Sequence, residues 1–334
     1  MSVLEGPCVS KHPNRILPMN TPALLALALA SFTLPQTLHA QGSLTPPGAP
    51  APTMKSLQEI WDKIGGLETT VTSQQQQITQ QAALIELLSS AHGVTLPWQL
   101  TTVASADSVG EYTSLAFTPG GRPAISYRDY TNGDLKYAVF NGSTWTLSTV
   151  DGTGDMGTYT SLAFTPGGQP AISYYDASNT DLKYAVFNGN TWTASTVDSA
   201  GVVGGYTSLA FTPGGQPAIS YHNLTIGDLK YAVFNGSTWT ASTVDSAGSV
   251  GSYTSLAFTA GGQPAISYFD STNGDLKYAV FDGNIWTAST VDSAGVVGSH
   301  TSLAFTPGGQ PAISYFDSTN GDLKFAVRKP FTTP

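Results

Sequence analysis

Apolar and polar residues alternate in short runs over residues 98–328. Leu135, Tyr137 and Val139 fall on one side of such a run, and Lys136, Ala138 and Phe140 fall on the other. A period of two is what a strand imposes. Four runs make a set: "YTSLAF" from Tyr112, "PAISYRD" from Pro123, "LKYAVF" from Leu135 and "WTLSTV" from Trp145. The stretches "TPGG", "YTNGD", "NGST" and "DGTGDMG" separate them. Asn141-Gly142 is a hairpin signal, since both residues tolerate positive φ. The whole set recurs every 47 residues, marked by Trp98, Trp145, Trp192, Trp239 and Trp286 and by Tyr112, Tyr159, Tyr206, Tyr253 and His300.

Four antiparallel strands repeated at this period predict propeller blades. The expected fold is all-β: a five-bladed β-propeller of 47-residue, four-stranded blades over residues 98–328. The chain enters with a fourth-type strand, "WQLTTV" from Trp98, and leaves after Phe325-Ala326-Val327 with three strands that lack a fourth. Pairing these two ends would complete the fifth blade and leave no exposed edge. With "YTSLAF" innermost and "WTLSTV" outermost, the short turns share one face and the long loops share the other. The five Trp are expected between blades, each beginning an outer strand after a tight turn.

These blades resemble those of secreted bacterial β-propellers with short "ISYYD…LKYA…W" repeats, and the resemblance covers residues 98–328. Blade number and period are also similar to the five-bladed tachylectin lectins, whose own motifs are missing here. The turn Asn141-Gly142-Ser143-Thr144-Trp145 resembles part of the Asp-box of sialidase-type propellers, with Phe140 where that box has its Asp. The resemblance implies a fold more than a chemistry.

Upstream the period changes to seven. Leu57, Ile64, Val71, Ile78 and Ile85 fall at a, and Ile60, Leu67, Gln74, Gln81 and Leu88 fall at d. Five heptads predict a coiled-coil stalk over residues 54–92. Lys63 at g and Glu68 at the next e suit a parallel partner. β-branched seam residues lean towards a trimer, and a dimer stays open. The alternative is a lone amphipathic helix packed on the next domain. Because Trp98 starts at the short-turn end, the stalk would turn the long-loop face outward.

Residues 1–40 read as an export signal: Lys11 and Arg15, the apolar run "ALLALALASFTL", then "PQTLHA" ending at Ala40. Translation could start at Met1 or Met19. Residues 41–53, "QGSLTPPGAPAPT", form a Pro-rich linker. The apolar run is shorter than the roughly 20 residues of a spanning helix, and no transmembrane segment is expected. Secreted, periplasmic or cell-surface placement follows. Cys8, the sole cysteine, would leave with the signal, so packing alone must stabilise the mature chain. A net charge of −9 without a basic stripe disfavours nucleic acid.

Within the blades, repeats differ mainly in the long loops, and loops on a rigid scaffold carry binding residues. Candidate ligand-binding residues are Arg128, Asp129, Tyr175, Asp176, His222, Phe269, Asp270, Phe316 and Asp317. Aromatic rings stack on sugar C–H faces, while Asp and Asn accept hydroxyl hydrogen bonds. The bland alternative has the rings filling blade interfaces and the carboxylates capping loops. Glu111 with Tyr112, Tyr159, Tyr206, Tyr253 and His300 would surround the axis mouth.

A glycosidase needs two carboxylates in distinct roles. Here most acids recur in all repeats, as do Asp134, Asp181, Asp228, Asp275 and Asp322, which suits turns. Arg122, Arg128 and Arg328 do not make a sialidase arginine cluster. The loop 129–134 lacks calcium-ligand spacing, and His222 and His300 lack partners for zinc. No metal, cofactor or catalytic residue is assigned. The expected function is lectin-like carbohydrate binding or adhesion to a glycan or surface polymer. A protein-interaction or structural module is the alternative, and a propeller glycosidase is a third.

Overall fold

The computed structural model describes residues 57–91, 99–106 and 108–329. The expected export signal, the linker and Trp98 lie outside them. The chain divides into two units, Met1–Pro97 and Trp98–Pro334.

In the first unit, α1 (Leu57–Ala91) is a single 35-residue helix, about 52 Å long at ~1.5 Å per residue. Thr69, Thr70, Thr72 and Thr79 each donate a hydroxyl hydrogen bond to the carbonyl four residues earlier, at 2.8–2.9 Å. This back-bonding keeps β-branched polar residues inside the helix. The helix residues Ile64, Leu67, Val71, Ile78 and Ile85, expected at a and d, are exposed.

The described residues of the second unit hold nineteen strands in five antiparallel sheets. The first comprises β1 (Val109–Phe117), β2 (Pro123–Asp129), β3 (Asp134–Phe140) and β4 (Trp145–Asp151), in sequence order. The second comprises β5 (Met156–Phe164), β6 (Pro170–Asp176), β7 (Asp181–Phe187) and β8 (Trp192–Asp198). The third and fourth repeat the pattern with β9 (Val203–Phe211), β10 (Pro217–Asn223), β11 (Asp228–Phe234) and β12 (Trp239–Asp245), then β13 (Val250–Phe258), β14 (Pro264–Asp270), β15 (Asp275–Phe281) and β16 (Trp286–Asp292). The fifth has three strands, β17 (Val297–Phe305), β18 (Pro311–Asp317) and β19 (Asp322–Val327). Five such sheets are consistent with a five-bladed propeller.

The expected turns form for the expected reasons. Asn141 Oδ1 accepts the amides of Ser143 and Thr144 at 2.8 and 2.9 Å, and Gly142 takes φ 105°. Asn188, Asn235 and Asp282 do the same in later blades.

Apolar cores lie between sheets. Leu135, Tyr137 and Val150 of the first sheet meet Met156, Leu162, Ile172 and Tyr174 of the second. The same arrangement joins the second to the third, the third to the fourth, and the fourth to the fifth. Each such side chain contributes about 1.5–3 kcal/mol when fully buried. Trp192, Trp239 and Trp286 pack edge-on against Tyr137, Tyr184 and Tyr231 of the preceding sheet at 5.2–5.3 Å.

A polar latch crosses each of these four seams. Tyr174, Tyr221, Tyr268 and Tyr315 donate to Asp151, Asp198, Asp245 and Asp292 of the preceding sheet at 2.6–2.7 Å. Lys183, Lys277 and Lys324 reach the carboxylates of Asp151, Asp245 and Asp292 as well.

The seam between fifth and first sheets differs. The expected pairing of the entering segment with β19 is not shown: the described residues 99–106 carry no strand, and no strand among the described residues flanks β19 on its outer side. Leu115 is 61% exposed where Leu162 is 6%, and Leu323 is 84% exposed where Leu276 is 0%. Two physical differences set this seam apart. The other fourth strands fold back through a tight hairpin, whereas this one must be recruited from the far end of the chain, at greater loop-closure cost. Its latch position is also empty of an acceptor, because Ala104 stands 47 residues before Asp151.

Candidate functional site

The first strand of every sheet runs three residues further back than "YTSLAF" implies, to Val109, Met156, Val203, Val250 and Val297. The added segment reads Gly-x-Tyr, or Gly-x-His in the last blade. Its pairing is irregular: Glu111 faces Arg128 and Ser114 faces Ser126, so three steps on β1 match two on β2. That is a β-bulge, one extra residue that bends the strand. The glycine is obligatory where blades meet. A Cβ on Gly251 would lie 2.9 Å from the Leu229 Cα.

The bulge puts a bulky residue in the left-handed region five times over: Tyr112 (φ 50°), Tyr159 (55°), Tyr206 (53°), Tyr253 (54°) and His300 (53°). Such a conformation costs about 1–2 kcal/mol per residue. The five rings form a chain around the axis, with centroids 5.2, 4.5, 4.6 and 4.3 Å apart from Tyr112 to His300. Together with the threonine after each, they line one cavity of about 360 Å³. All five blades therefore face a common axis, with the first-strand type innermost as expected.

Burial, aided by neighbouring phenols, raises the Tyr159, Tyr206 and Tyr253 hydroxyls above the ordinary range. They stay neutral at physiological pH, and each phenol both donates and accepts. The threonines do not compete for a ligand. Thr207, Thr254 and Thr301 bond Ser173, Ser220 and Ser267 of the preceding blade at 2.6–2.7 Å, and Thr160 pairs likewise with Ser126.

The two sets of candidate residues share one rim. Arg128, Tyr175, His222, Phe269 and Phe316 lie across the ladder from Glu111, Thr158, Gly205, Ser252 and Ser299, each directly before an axial ring. Glu111 forms an ion pair with Arg128 at 3.5 Å, and the guanidinium also donates to Asp155 at 2.6 Å and lies over Tyr130. His222 is buried beside Tyr206, ring centroids 6.3 Å apart, and neither ring nitrogen has a partner among the described residues. Burial, opposed by Asp228, lowers its pKa and favours the neutral imidazole. Tyr175 and Phe269 are half-buried, while Phe316 is exposed.

The carboxylates point elsewhere. Asp129, Asp176, Asp270 and Asp317 are buried, and each holds the Asn three residues on through both its amide and its side chain at 2.9–3.1 Å. They cap the loop after each second strand. The latch acids Asp151, Asp198, Asp245 and Asp292 were not singled out by the sequence reading. Their signal was present as the last residue of every "STVD". No group of three metal-ligating side chains occurs among the described residues.

No family model matches the chain, and no curated protein matches it. Solved structures do. A protein of unknown function from Dyadobacter fermentans DSM 18053 superposes with a TM-score of 0.51 at 10% identity, over 67% of this chain and 80% of the other. The Hadza microbial sialidase Hz136 gives 0.47 at 11%, over 66% and 57%. A fucose lectin from Kordia zhangzhouensis, solved with methyl-fucoside, gives 0.31 at 18%, over 39% and 96%. The likeness to the Dyadobacter protein is one of fold alone.

Proposed function

We propose that this chain is an exported carbohydrate-binding module that presents its long-loop rim to a glycan or polysaccharide surface and binds without cleaving. The observation that carries this reading is the rim itself. Aromatic rings from all five blades converge on one cavity, and the nearby acids are spent on structure. Glycoside hydrolysis needs an acid and a second carboxylate roughly 5–9.5 Å apart across the scissile bond. Here Glu111 is tied to Arg128, and the loop aspartates are buried turn caps.

In the same reading α1 pairs with further copies through its exposed heptad stripe, as a trimer or dimer, and residues 98–103 close the ring against β19. Association multiplies weak contacts, because every contact after the first is intramolecular. Printing the full-length protein's binding on an array of neutral polysaccharides and oligosaccharides tests the proposal. Retention on at least one glycan without release of reducing sugar is expected. Binding to none, or hydrolysis lost in Glu111→Gln, would overturn it.

A further inference from the structure

We infer that the axial cavity is a single sugar-binding subsite, taking one neutral monosaccharide unit per chain, and that the five long loops do not form five equivalent sites. This rests on the carbohydrate reading above and deepens it. The loops fail as separate sites because their carboxylates are occupied: Asp176, for example, accepts from Asn179 twice and faces Lys183 at 3.7 Å. A ring stacked on Tyr175 or Phe269 would find no free carboxylate there.

The axis offers what the loops lack. Its cavity of about 360 Å³ falls within the ~300–1,000 Å³ of ligand pockets, room enough for one sugar ring against the axial side chains. Phenol faces can stack on C–H groups, and neutral phenol hydroxyls can both donate to and accept from ligand hydroxyls. Five left-handed aromatic residues are an outlier that packing alone does not ask for, since glycine would adopt the same backbone without strain.

The rim supplies orientation, because it breaks the five-fold repeat. One side carries the charged set Glu111, Arg128 and Asp155. Another carries His222, with two unpartnered buried nitrogens among the described residues, beside exposed Leu224 and Ile226. An acidic sugar is disfavoured: the one rim cation is already neutralised by two carboxylates, and the chain's net charge is −9.

The test titrates the full-length protein with a panel of methyl pyranosides of neutral hexoses, pentoses and 6-deoxyhexoses, followed by calorimetry and saturation-transfer NMR. One site per chain is expected. Tyr206→Gly keeps the left-handed backbone free of strain and should still fold, yet losing the ring should weaken binding roughly tenfold, the scale of an aromatic contact. Tyr253→Asn, also tolerant of positive φ, should act alike, whereas Ile285→Ala, an exposed residue of a short turn on the other face, should change affinity less than about twofold. Five sites per chain, or binding indifferent to both axial variants, overturns the axial assignment. Binding to polysaccharide but to no monosaccharide glycoside overturns it while sparing the carbohydrate reading. Binding to neither removes both.

Discussion

Replacing Asp151 by Ala should cost about 3–5 kcal/mol, the range for removing one partner of a buried ion pair. Asp151 Oδ2 accepts from the Tyr174 hydroxyl at 2.6 Å and from Lys183 Nζ at 2.7 Å, while Oδ1 accepts from the Thr153 hydroxyl at 2.7 Å. Each charge-assisted bond is worth about 1.5–3 kcal/mol net. The variant strands a fully buried phenol and a half-buried ammonium. Lys183 keeps a weaker neighbour in Asp176 at 3.7 Å, which holds the loss below a simple sum. Tyr174→Phe is the control. It removes one donor and leaves the carboxylate with Lys183 and Thr153, so about 1–2 kcal/mol should go.

Urea unfolding of the full-length protein, followed by circular dichroism and by tryptophan fluorescence, reads the difference. Trp192 sits on the same seam, against Tyr137, and reports it locally. A loss under about 1 kcal/mol for Asp151→Ala, or an equal loss for Tyr174→Phe, would refute the latch. The pH dependence gives a second check. Burial raises the Asp151 pKa, but hydrogen bonds from Lys183, Tyr174 and Thr153 outweigh it and leave the group below its ordinary value. A folded value below the unfolded one means stability that is present above about pH 4 and is lost as pH falls through the folded value. The gap between wild type and Asp151→Ala should therefore narrow in acid. The last seam should hold longest, since the bond from Lys324 brings Asp292 down to about 2.

Ala104→Asp should add the missing fifth latch opposite Tyr127 and Lys136 and raise the urea midpoint by an amount equivalent to ~1–3 kcal/mol; an unchanged midpoint would argue against closure by the entering segment. Deleting residues 54–92 should turn an oligomer into a monomer in light scattering, and a monomeric full-length chain at micromolar concentration would dismiss the helical stalk. N-terminal sequencing of exported protein should begin at or near Gln41, and full-length chain retained in the cytoplasm would contradict the export signal.

The repeat made the sheets legible because everything that defines a blade is local. Period-two alternation, Asn-Gly turns and the recurring Trp all act within a few residues of one another. What crosses from blade to blade was not legible. Asp151 and Tyr174 stand 23 residues apart and meet only because consecutive sheets face each other, so the aspartate looked like part of a loop. The left-handed tyrosines were hidden for a different reason. A bulge changes the register by one residue, and "Gly-x-Tyr" ahead of a good strand pattern resembles any loop ending. Asp129 and its equivalents were candidates because an aromatic-carboxylate pair is good sugar chemistry, but their spacing to Asn132, Asn179, Asn273 and Asn320 equally suits a loop cap.

These differences have one cause, which also points to where specificity resides. A feature copied into every blade is held in place by its neighbours' copies and serves the scaffold: the latches, the Ser–Thr pairs and the turn caps all repeat. Five similarly placed rings, four phenols and the His300 imidazole, can hold a ligand, but the four phenols favour closely similar orientations. Selection of one orientation must come from residues without copies. Those are Glu111, Arg128 and Asp155 on one side of the mouth, His222, Leu224 and Ile226 on another, and His300 among the axial rings. Removing an axial ring should therefore weaken every ligand alike, whereas exchanging a rim residue should change which ligand is preferred.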